Sequence, residues 1–133
     1  MILAVDTNIL LDVLRPNPDF VDASLALIEK HAAADQFCVC AVVYAELAAC
    51  FADQAKLDLF LRSANIRVDA ITESALFFAG QSWRKYRDAG GKRERILADF
   101  LIGAHAFTQA SALLTRDRGF YRNHFTGLTL HAP

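Results

Sequence analysis

The fold is decided by the opening stretch Ile2-Leu-Ala-Val-Asp-Thr-Asn8, in which a short apolar run ends abruptly in three polar residues. A continuous apolar run of this length is typical of a strand that is buried on both faces of a sheet. The pattern then changes to a helix predicted from Asn8 to Leu14, which Arg15-Pro-Asn-Pro18 breaks. A buried strand followed directly by a helix indicates the βα unit of a parallel sheet.

The same alternation continues to the end of the chain. We expect further strands at 36–40, 66–70 and 111–115 and a short edge strand at 128–131. Helices are predicted between them, and Asp19 is expected to cap the second helix. The predicted helices after the first two are 41–52, 56–64, a long one from about 72 to 90, and 96–110. The chain is therefore predicted to be an α/β protein with right-handed crossovers and a mostly parallel sheet of four to five strands, covered on both faces.

Length and composition predict one compact domain over residues 1–133, because 54% hydrophobic residues supply ample material for one core. No apolar run approaches the roughly 20 residues that span a bilayer, and the N-terminus lacks a signal-type pattern. We therefore expect a soluble cytoplasmic protein with no membrane partner.

The three cysteines are expected to be reduced core thiols. Cys38 and Cys40 alternate along a predicted strand, and Cys50 lies on a predicted helix. A Cys-x-Cys pair with no second cysteine pair is a weak signal for zinc.

Basic residues are concentrated in one segment of a chain whose net charge is only −1. Residues 84–95 contain six basic and two acidic side chains, a local charge of +4 that predicts a basic rim. Arg93 and Arg95 are the candidates for contact with the phosphates of a nucleic acid, together with Arg116 near the C-terminus. The Gly90-Gly-Lys92 sequence lacks the spacing of a nucleotide-binding Walker loop.

Four acids lie against apolar sequence. Asp99 falls within a predicted helix, 96–107, that is apolar on nearly every side, where an unpaired carboxylate is costly to bury. Asp6 and Asp117 directly follow predicted strands, and Glu46 lies in the helix after the second strand. Ligands collect at the carboxyl ends of parallel strands, so we expect the four side chains to converge there. Taken singly, Asp6 or Asn8 could instead cap a helix, Asp117 could begin a turn, and Glu46 could be solvated.

Converging acids of this kind call for a divalent cation. Two carboxylates about 4 Å apart repel by about 4 kcal/mol at an effective dielectric near 20. Oxygen-only donors favour Mg²⁺ or Mn²⁺, and either ion suits phosphodiester hydrolysis, where it activates water and stabilises charge on the phosphate. His105 lies six residues after Asp99, about 120° around the helix, and is expected to face elsewhere.

The sequence resembles the PIN-domain ribonucleases and, among them, the VapC-type toxins of prokaryotic toxin–antitoxin pairs. Four segments carry the resemblance in the family's order and together span almost the whole chain: Val5-Asp-Thr-Asn-Ile-Leu-Leu-Asp12, Ala45-Glu-Leu47, Arg95-Ile-Leu-Ala-Asp-Phe-Leu-Ile-Gly-Ala-His-Ala106 and Leu114-Thr-Arg-Asp-Arg-Gly-Phe-Tyr121.

The resemblance implies a single PIN domain with a three-layer α/β/α sandwich. It also implies Mg²⁺-dependent endonucleolytic cleavage of RNA that leaves a 5′-phosphate and a 3′-hydroxyl. The implied catalytic and metal-binding acids are Asp6, Glu46, Asp99 and Asp117, supported by Asn8 and Thr115. The implied partners are a VapB-type antitoxin and a second copy in a homodimer, and the implied outcome is inhibited translation. One departure is that residues 40–43 offer no hydroxyl before the helix of the second acid.

Two other functions remain open from the sequence. A phosphatase of the haloacid dehalogenase type also begins with an apolar strand ending in Asp, but it needs a second Asp where this chain has Asn8. The other function is that of a PIN module that binds RNA or protein without cutting. Such a module is expected to have lost a ligand acid, and none of the four is missing from this sequence.

Overall fold

The computed structural model describes residues 1–92 and 97–133, which form an α/β fold with a five-stranded, all-parallel sheet. This confirms the predicted fold class. The strands are β1 (Ile2–Val5), β2 (Gln36–Cys40), β3 (Ile66–Asp69), β4 (Ala112–Leu114) and β5 (Leu130–His131). The helices are α1 (Thr7–Leu14), α2 (Val21–Ala32), α3 (Ala41–Ala48), α4 (Gln54–Ser63), α5 (Glu73–Asp88), α6 (Leu97–Gln109) and α7 (Arg118–His124).

The strands are arranged in the order β3-β2-β1-β4-β5, so β1 is central. Leu3 of β1 pairs with Phe37 on one side and with Ala112 on the other. The chain first builds outward from β1 to β3 and then crosses back to β4. The carboxyl ends of β1 and β4 therefore meet at the point where strand order reverses, which is where ligands bind in open α/β sheets.

The core lies on both faces of the central strands. Leu3, Ala4 and Val5 are all buried although successive side chains point to opposite faces, and the residues from Phe37 to Cys40 are buried in the same way. The uninterrupted apolar run that predicted β1 reflects this two-sided cover.

Several helix boundaries differ from the prediction: α1 begins at Thr7 rather than Asn8, and α4 begins at Gln54 rather than residue 56. The N-cap of α2 is Phe20 rather than Asp19, whose own N–H donates to Asn17 Oδ1 at 3.0 Å. Helix α3 ends at Ala48, earlier than the predicted residue 52. Alanine-rich sequence has high helix propensity but does not by itself mark where a helix ends. The predicted start of α5 is confirmed, since Thr72 Oγ1 accepts a hydrogen bond from Ala75 N–H.

Helix α6 packs closely on the C-terminal part of the chain. A Cβ atom placed on Gly103 would collide with the ring of Phe125, so only glycine permits this approach. The same helix carries Asp99 in its first turn. Within the two described ranges, no helix is long and apolar enough to cross a membrane.

Candidate metal centre

Asp6 is the most enclosed of the four acids. It follows β1, forms the N-cap of α1, and is only 6% exposed. Its Oδ1 accepts a hydrogen bond from Thr7 N–H at 2.7 Å. Its Oδ2 accepts hydrogen bonds from Thr115 Oγ1 at 2.7 Å, Tyr121 OH at 3.1 Å and Asn8 Nδ2 at 3.3 Å. Asp6 therefore does cap a helix, but the cap uses one oxygen, and three side chains from two parts of the chain converge on the other.

Ionisation of Asp6 is disfavoured despite these donors. Burial raises the pKa of Asp6 from 3.8 to about 6, and the nearby negative charge of Asp99 adds to the rise. The hydrogen bonds from Thr115, Tyr121 and Thr7 act in the opposite direction, because they stabilise the carboxylate. A cation at this position would remove the conflict.

Three of the acids act electrostatically on the Tyr121 hydroxyl. Burial raises the pKa of Tyr121 well above its ordinary value, and the charges of Asp6, Asp99 and Asp117 raise it further. All three acids therefore act on one hydroxyl, and Asp6 accepts a hydrogen bond from it. The structure thus brings Asp6, Asp99 and Asp117 to one place.

Glu46 lies at the exposed rim of this group, on α3. It is connected to the centre through Thr7, whose Oγ1 donates to Glu46 Oε1 at 2.8 Å while its N–H donates to Asp6. One residue therefore fixes the separation between the most buried acid and the most exposed one.

The segment that carries Asp117 is held by two backbone contacts. Asp117 N–H donates to Thr115 Oγ1 at 3.0 Å, and Arg116 N–H donates to Asn8 Oδ1 at 3.1 Å. Asn8 thus uses its amide nitrogen on Asp6 and its carbonyl oxygen on the neighbouring segment. The residues expected to support the acids, Asn8 and Thr115, both lie in contact with Asp6.

The Arg116 side chain turns away from this group. Its Nε and Nη2 donate to the two oxygens of Asp12 at 2.8 and 3.1 Å, and its guanidinium lies 4.0 Å from the ring centre of Phe20. Asp12 is buried and also accepts a hydrogen bond from Ser24 Oγ at 2.7 Å. These contacts fit an ion pair that anchors the segment, and the contact of Arg116 with RNA phosphates stays a prediction. Arg93 and Arg95, the other two predicted contacts, lie outside the described residues.

A second cluster combines different donor types. Within the described residues, Cys38, Asp69 and His105 form a group of three potential metal ligands. Their ligand atoms all lie within 4.8 Å of one another. His105 Nε2 lies 2.8 Å from Asp69 Oδ2, and Gln109 Nε2 donates to the same oxygen at 3.1 Å. Burial raises the pKa of the Cys38 thiol to about 11, with a further contribution from the charge of Asp69.

The acid-rich end of the sheet and the chain as a whole match a known family. The PIN domain profile aligns with residues 3–125, nearly the entire length. This chain belongs to the PIN domain family. A comparison with curated proteins found no match to the PIN domain described here.

Solved structures share the fold of this PIN domain over its full length. VapBC2 from Rickettsia felis, solved bound to a DNA fragment from their promoter, has a TM-score of 0.78 at 22% identity, covering 100% of this chain and 99% of that one. VapBC-1 from nontypeable Haemophilus influenzae has a TM-score of 0.75 at 20% identity, with 99% and 98% covered. FitAcB from Neisseria gonorrhoeae has a TM-score of 0.60 at 24% identity, with 98% and 96% covered.

Sequence reasoning missed three residues that organise the acids of this PIN domain. Thr7 and Tyr121 both contact Asp6, and Asp12 anchors Arg116. Each stands inside a segment that carries the family resemblance, which is a usable signal. A polar residue at a predicted strand end, such as Thr7, is a candidate on position alone. Tyr121 offered no comparable signal, because a tyrosine on a short helix is most often a packing residue.

Proposed function

We propose that this PIN domain is a metal-dependent endoribonuclease that hydrolyses RNA phosphodiester bonds, with Mg²⁺ as its cofactor and Mn²⁺ as a substitute. Asp6, Glu46, Asp99 and Asp117 are the proposed catalytic, metal-binding acids. The proposal rests on Asp6, which is buried at the end of β1 with hydrogen bonds from Thr115 and Tyr121 on its Oδ2, and whose pKa is raised further by the charge of Asp99. Burial disfavours the ionised form of Asp6, and a cation would favour it. Carboxylate oxygens are the donors that a hard cation such as Mg²⁺ prefers.

Asp6 and Glu46 have different roles at the proposed metal site because they differ in burial. When bound, the cation would lower the pKa of an attacking water and stabilise charge on the phosphate oxygens. Asp6 is held rigidly by Thr115, Tyr121 and Thr7, so it fixes where the cation binds. Glu46 is exposed on α3, so its carboxylate is accessible from solvent. Its hydrogen bond from Thr7 keeps it near Asp6.

The cleavage test uses purified protein and a fluorescent single-stranded RNA. We expect cleavage with Mg²⁺ that stops with EDTA and falls by about 10³-fold in Asp99→Asn, since metal stabilisation of the transition state is worth several kcal/mol. The control is Asp22→Asn, an exposed aspartate on α2, which should cleave like the wild type. Undiminished cleavage by folded Asp99→Asn would refute the proposed site.

We also propose that this ribonuclease is the toxin of a VapBC-type pair that inhibits translation, acts as a homodimer and is held by a VapB-type antitoxin. Full-length similarity to chains of the VapBC structures supports this role. Expression should arrest growth, Asp6→Ala should relieve the arrest, and coexpressed antitoxin should do the same. Normal growth during expression of active, folded protein would contradict the toxin role.

The phosphatase alternative gains no support from Asn8. That family needs an Asp at this position, whereas the Asn8 amide is engaged with Asp6 on one side and Arg116 N–H on the other. A module that binds without cutting would retain Mg²⁺ binding and RNA binding but produce no RNA fragments in the same assay.

A further inference from the structure

Three elements outside the four-acid group bring metal-ligating side chains together. Cys38 lies in the middle of β2, Asp69 is the last residue of β3, and His105 lies on α6. Their ligand atoms all lie within 4.8 Å of one another. We propose that Cys38, Asp69 and His105 form a second metal site that binds Zn²⁺ and joins two strands of the sheet to the helix that carries Asp99.

The donor set matches zinc in type and in charge. Zinc binds cysteine sulfur, histidine nitrogen and carboxylate oxygen at about 2.3, 2.0–2.1 and 2.0–2.2 Å. Cys38 and His105 are 0% and 1% exposed, so a net charge there would be costly. A thiolate and a carboxylate together balance the two positive charges of the ion. Arg67 is the nearby cation, with Nη2 4.0 Å from Asp69 Oδ1, and its side chain is more than half exposed.

Small movements convert the observed cluster into a coordination sphere. In a tetrahedral zinc site, neighbouring ligand atoms are about 3.3–3.8 Å apart, as the bond lengths require. The 2.8 Å contact between His105 Nε2 and Asp69 Oδ2 must therefore open slightly, and the Cys38 sulfur already lies within 4.8 Å of a ligand atom of each of the other two residues. The Asp69 side chain is a quarter exposed, which leaves its side of the cluster open to ion entry and to a water as fourth ligand.

Binding also moves protons in a defined way. Because burial holds the Cys38 thiol protonated at neutral pH, Zn²⁺ must displace that proton, which leaves to solvent as the sulfur–zinc bond forms. For His105 Nε2 to bind the ion, the single proton of the neutral ring must lie on Nδ1, so a proton on Nε2 is exchanged through solvent for one on Nδ1 with no net release from the ring. Mg²⁺ has little affinity for sulfur and would not compete.

Gln109 holds the carboxylate ready. Its Nε2 donates to Asp69 Oδ2 at 3.1 Å and to Ala70 O at 2.8 Å, and its Oε1 accepts from Thr72 N–H at 3.1 Å. Hydrogen bonds of this kind orient ligating carboxylates in known metal sites. His105 lies six residues after Asp99 on α6, about 9 Å along the helix axis at 1.5 Å per residue. The two proposed metal sites are therefore separate.

The test replaces zinc with Co²⁺, whose bond to a thiolate gives a charge-transfer band in the near ultraviolet. Full-length protein is stripped with EDTA, kept reduced, and titrated with Co²⁺ in excess Mg²⁺ to occupy the four-acid group. We expect the band in the wild type and in Cys50→Ser, the matched control, and its loss in Cys38→Ser. Addition of Zn²⁺ should abolish the band by displacement.

Several outcomes would overturn the proposal. These are no thiolate band in the wild type, a band that persists in Cys38→Ser, or a band that disappears in Cys50→Ser. Because Cys38→Ser alters a buried position, His105→Gln provides a second test, since glutamine can retain a hydrogen bond to Asp69. We expect the affinity of His105→Gln for Co²⁺ to fall at least tenfold, and unchanged affinity contradicts the site. None of these readouts depends on RNA cleavage, so the zinc site and the proposed ribonuclease can fail separately.

Discussion

Helix α6 carries an ionisable side chain into each of two clusters that differ in chemistry. Near its beginning, Asp99 adds negative charge to a group that already contains Asp6 and Asp117. Farther along, His105 contacts Asp69, a carboxylate that also accepts a hydrogen bond from Gln109. Both clusters supply hydrogen-bond donors to an acid, but the first brings the negative charges of three acids together, whereas the second contains the single acid Asp69.

The difference indicates which cluster depends on a cation. Like charges held together in a buried place are unstable without a counterion, and proteins keep such arrangements mainly where function requires them. The second cluster is already satisfied by hydrogen bonds, so a cation can bind there only if it is soft enough to displace the thiol proton of Cys38. We therefore expect a hard ion to bind near Asp99 and a softer ion to bind near His105.

The largest expected effect is that of Asp6→Asn on RNA cleavage. Removal of the most enclosed ligand should lower the rate by about 10³-fold, equivalent to about 4 kcal/mol of transition-state stabilisation. Cleavage kinetics with saturating Mg²⁺ measure this loss. The Co²⁺–thiolate band of the same variant should be unchanged, and its disappearance from the folded variant would show that the two clusters are not independent.

Asp12→Ala should cause the largest loss of stability. It leaves the guanidinium of Arg116 without its buried partner and removes an acceptor from Ser24. We expect a destabilisation of about 3 kcal/mol, the lower end for a broken buried pair because Arg116 is partly exposed. Urea unfolding measures it, with Asp22→Asn as the control. A change below about 0.5 kcal/mol, typical of surface sites, would contradict an anchoring role.

The raised pKa of Asp6 predicts a pH-dependent stability that a cation removes. Because its pKa is about 6 in the folded protein and 3.8 ordinarily, the folded state binds more protons between these values. Stability of the metal-free protein should therefore fall as pH rises from about 4 to 6, by up to about 3 kcal/mol from this group, and then level off.

Urea unfolding at several pH values, in EDTA and with Mg²⁺, measures this dependence. Mg²⁺ should raise the free energy of unfolding more at pH 7.5 than at pH 5. In Asp6→Asn, the fall in stability between pH 4 and 6 that is due to Asp6 should be absent. An equal effect of Mg²⁺ at both pH values would mean that Asp6 does not contact the ion.

The smallest effects come from the neutral donors that serve each cluster. Tyr121→Phe removes one donor to Asp6, and we expect cleavage to fall about tenfold, or about 1.4 kcal/mol, with little change in stability. Gln109→Ala removes hydrogen bonds that join α6 to the end of β3 and should lower the free energy of unfolding by about 1 kcal/mol. Thermal unfolding and cleavage kinetics are measured for both variants. A loss of stability in Tyr121→Phe without loss of cleavage, together with a loss of cleavage in Gln109→Ala without loss of stability, would contradict the roles assigned to the two clusters.

The sequence predicted what depends on local pattern. Apolar runs located β1 and β4, and the acids that follow them were expected at the carboxyl edge, where the structure has Asp6 and Asp117. Asp19 was wrong as a cap because a capping residue type does not by itself fix where a helix begins. Contacts that cross the sheet were beyond reach: nothing local to His105 reveals that the end of β3 brings Asp69 against it.

The metal site formed by the four acids is tested most directly by the anomalous diffraction of a crystal soaked with Mn²⁺ at a concentration that supports RNA cleavage. We expect a peak within about 2.5 Å of carboxylate oxygens of Asp6 and Asp99, close to Asp117, as is typical of a hard cation bound by oxygen. A crystal of active protein whose Mn²⁺ peak lies elsewhere, with these carboxylates in contact with water alone, would contradict it.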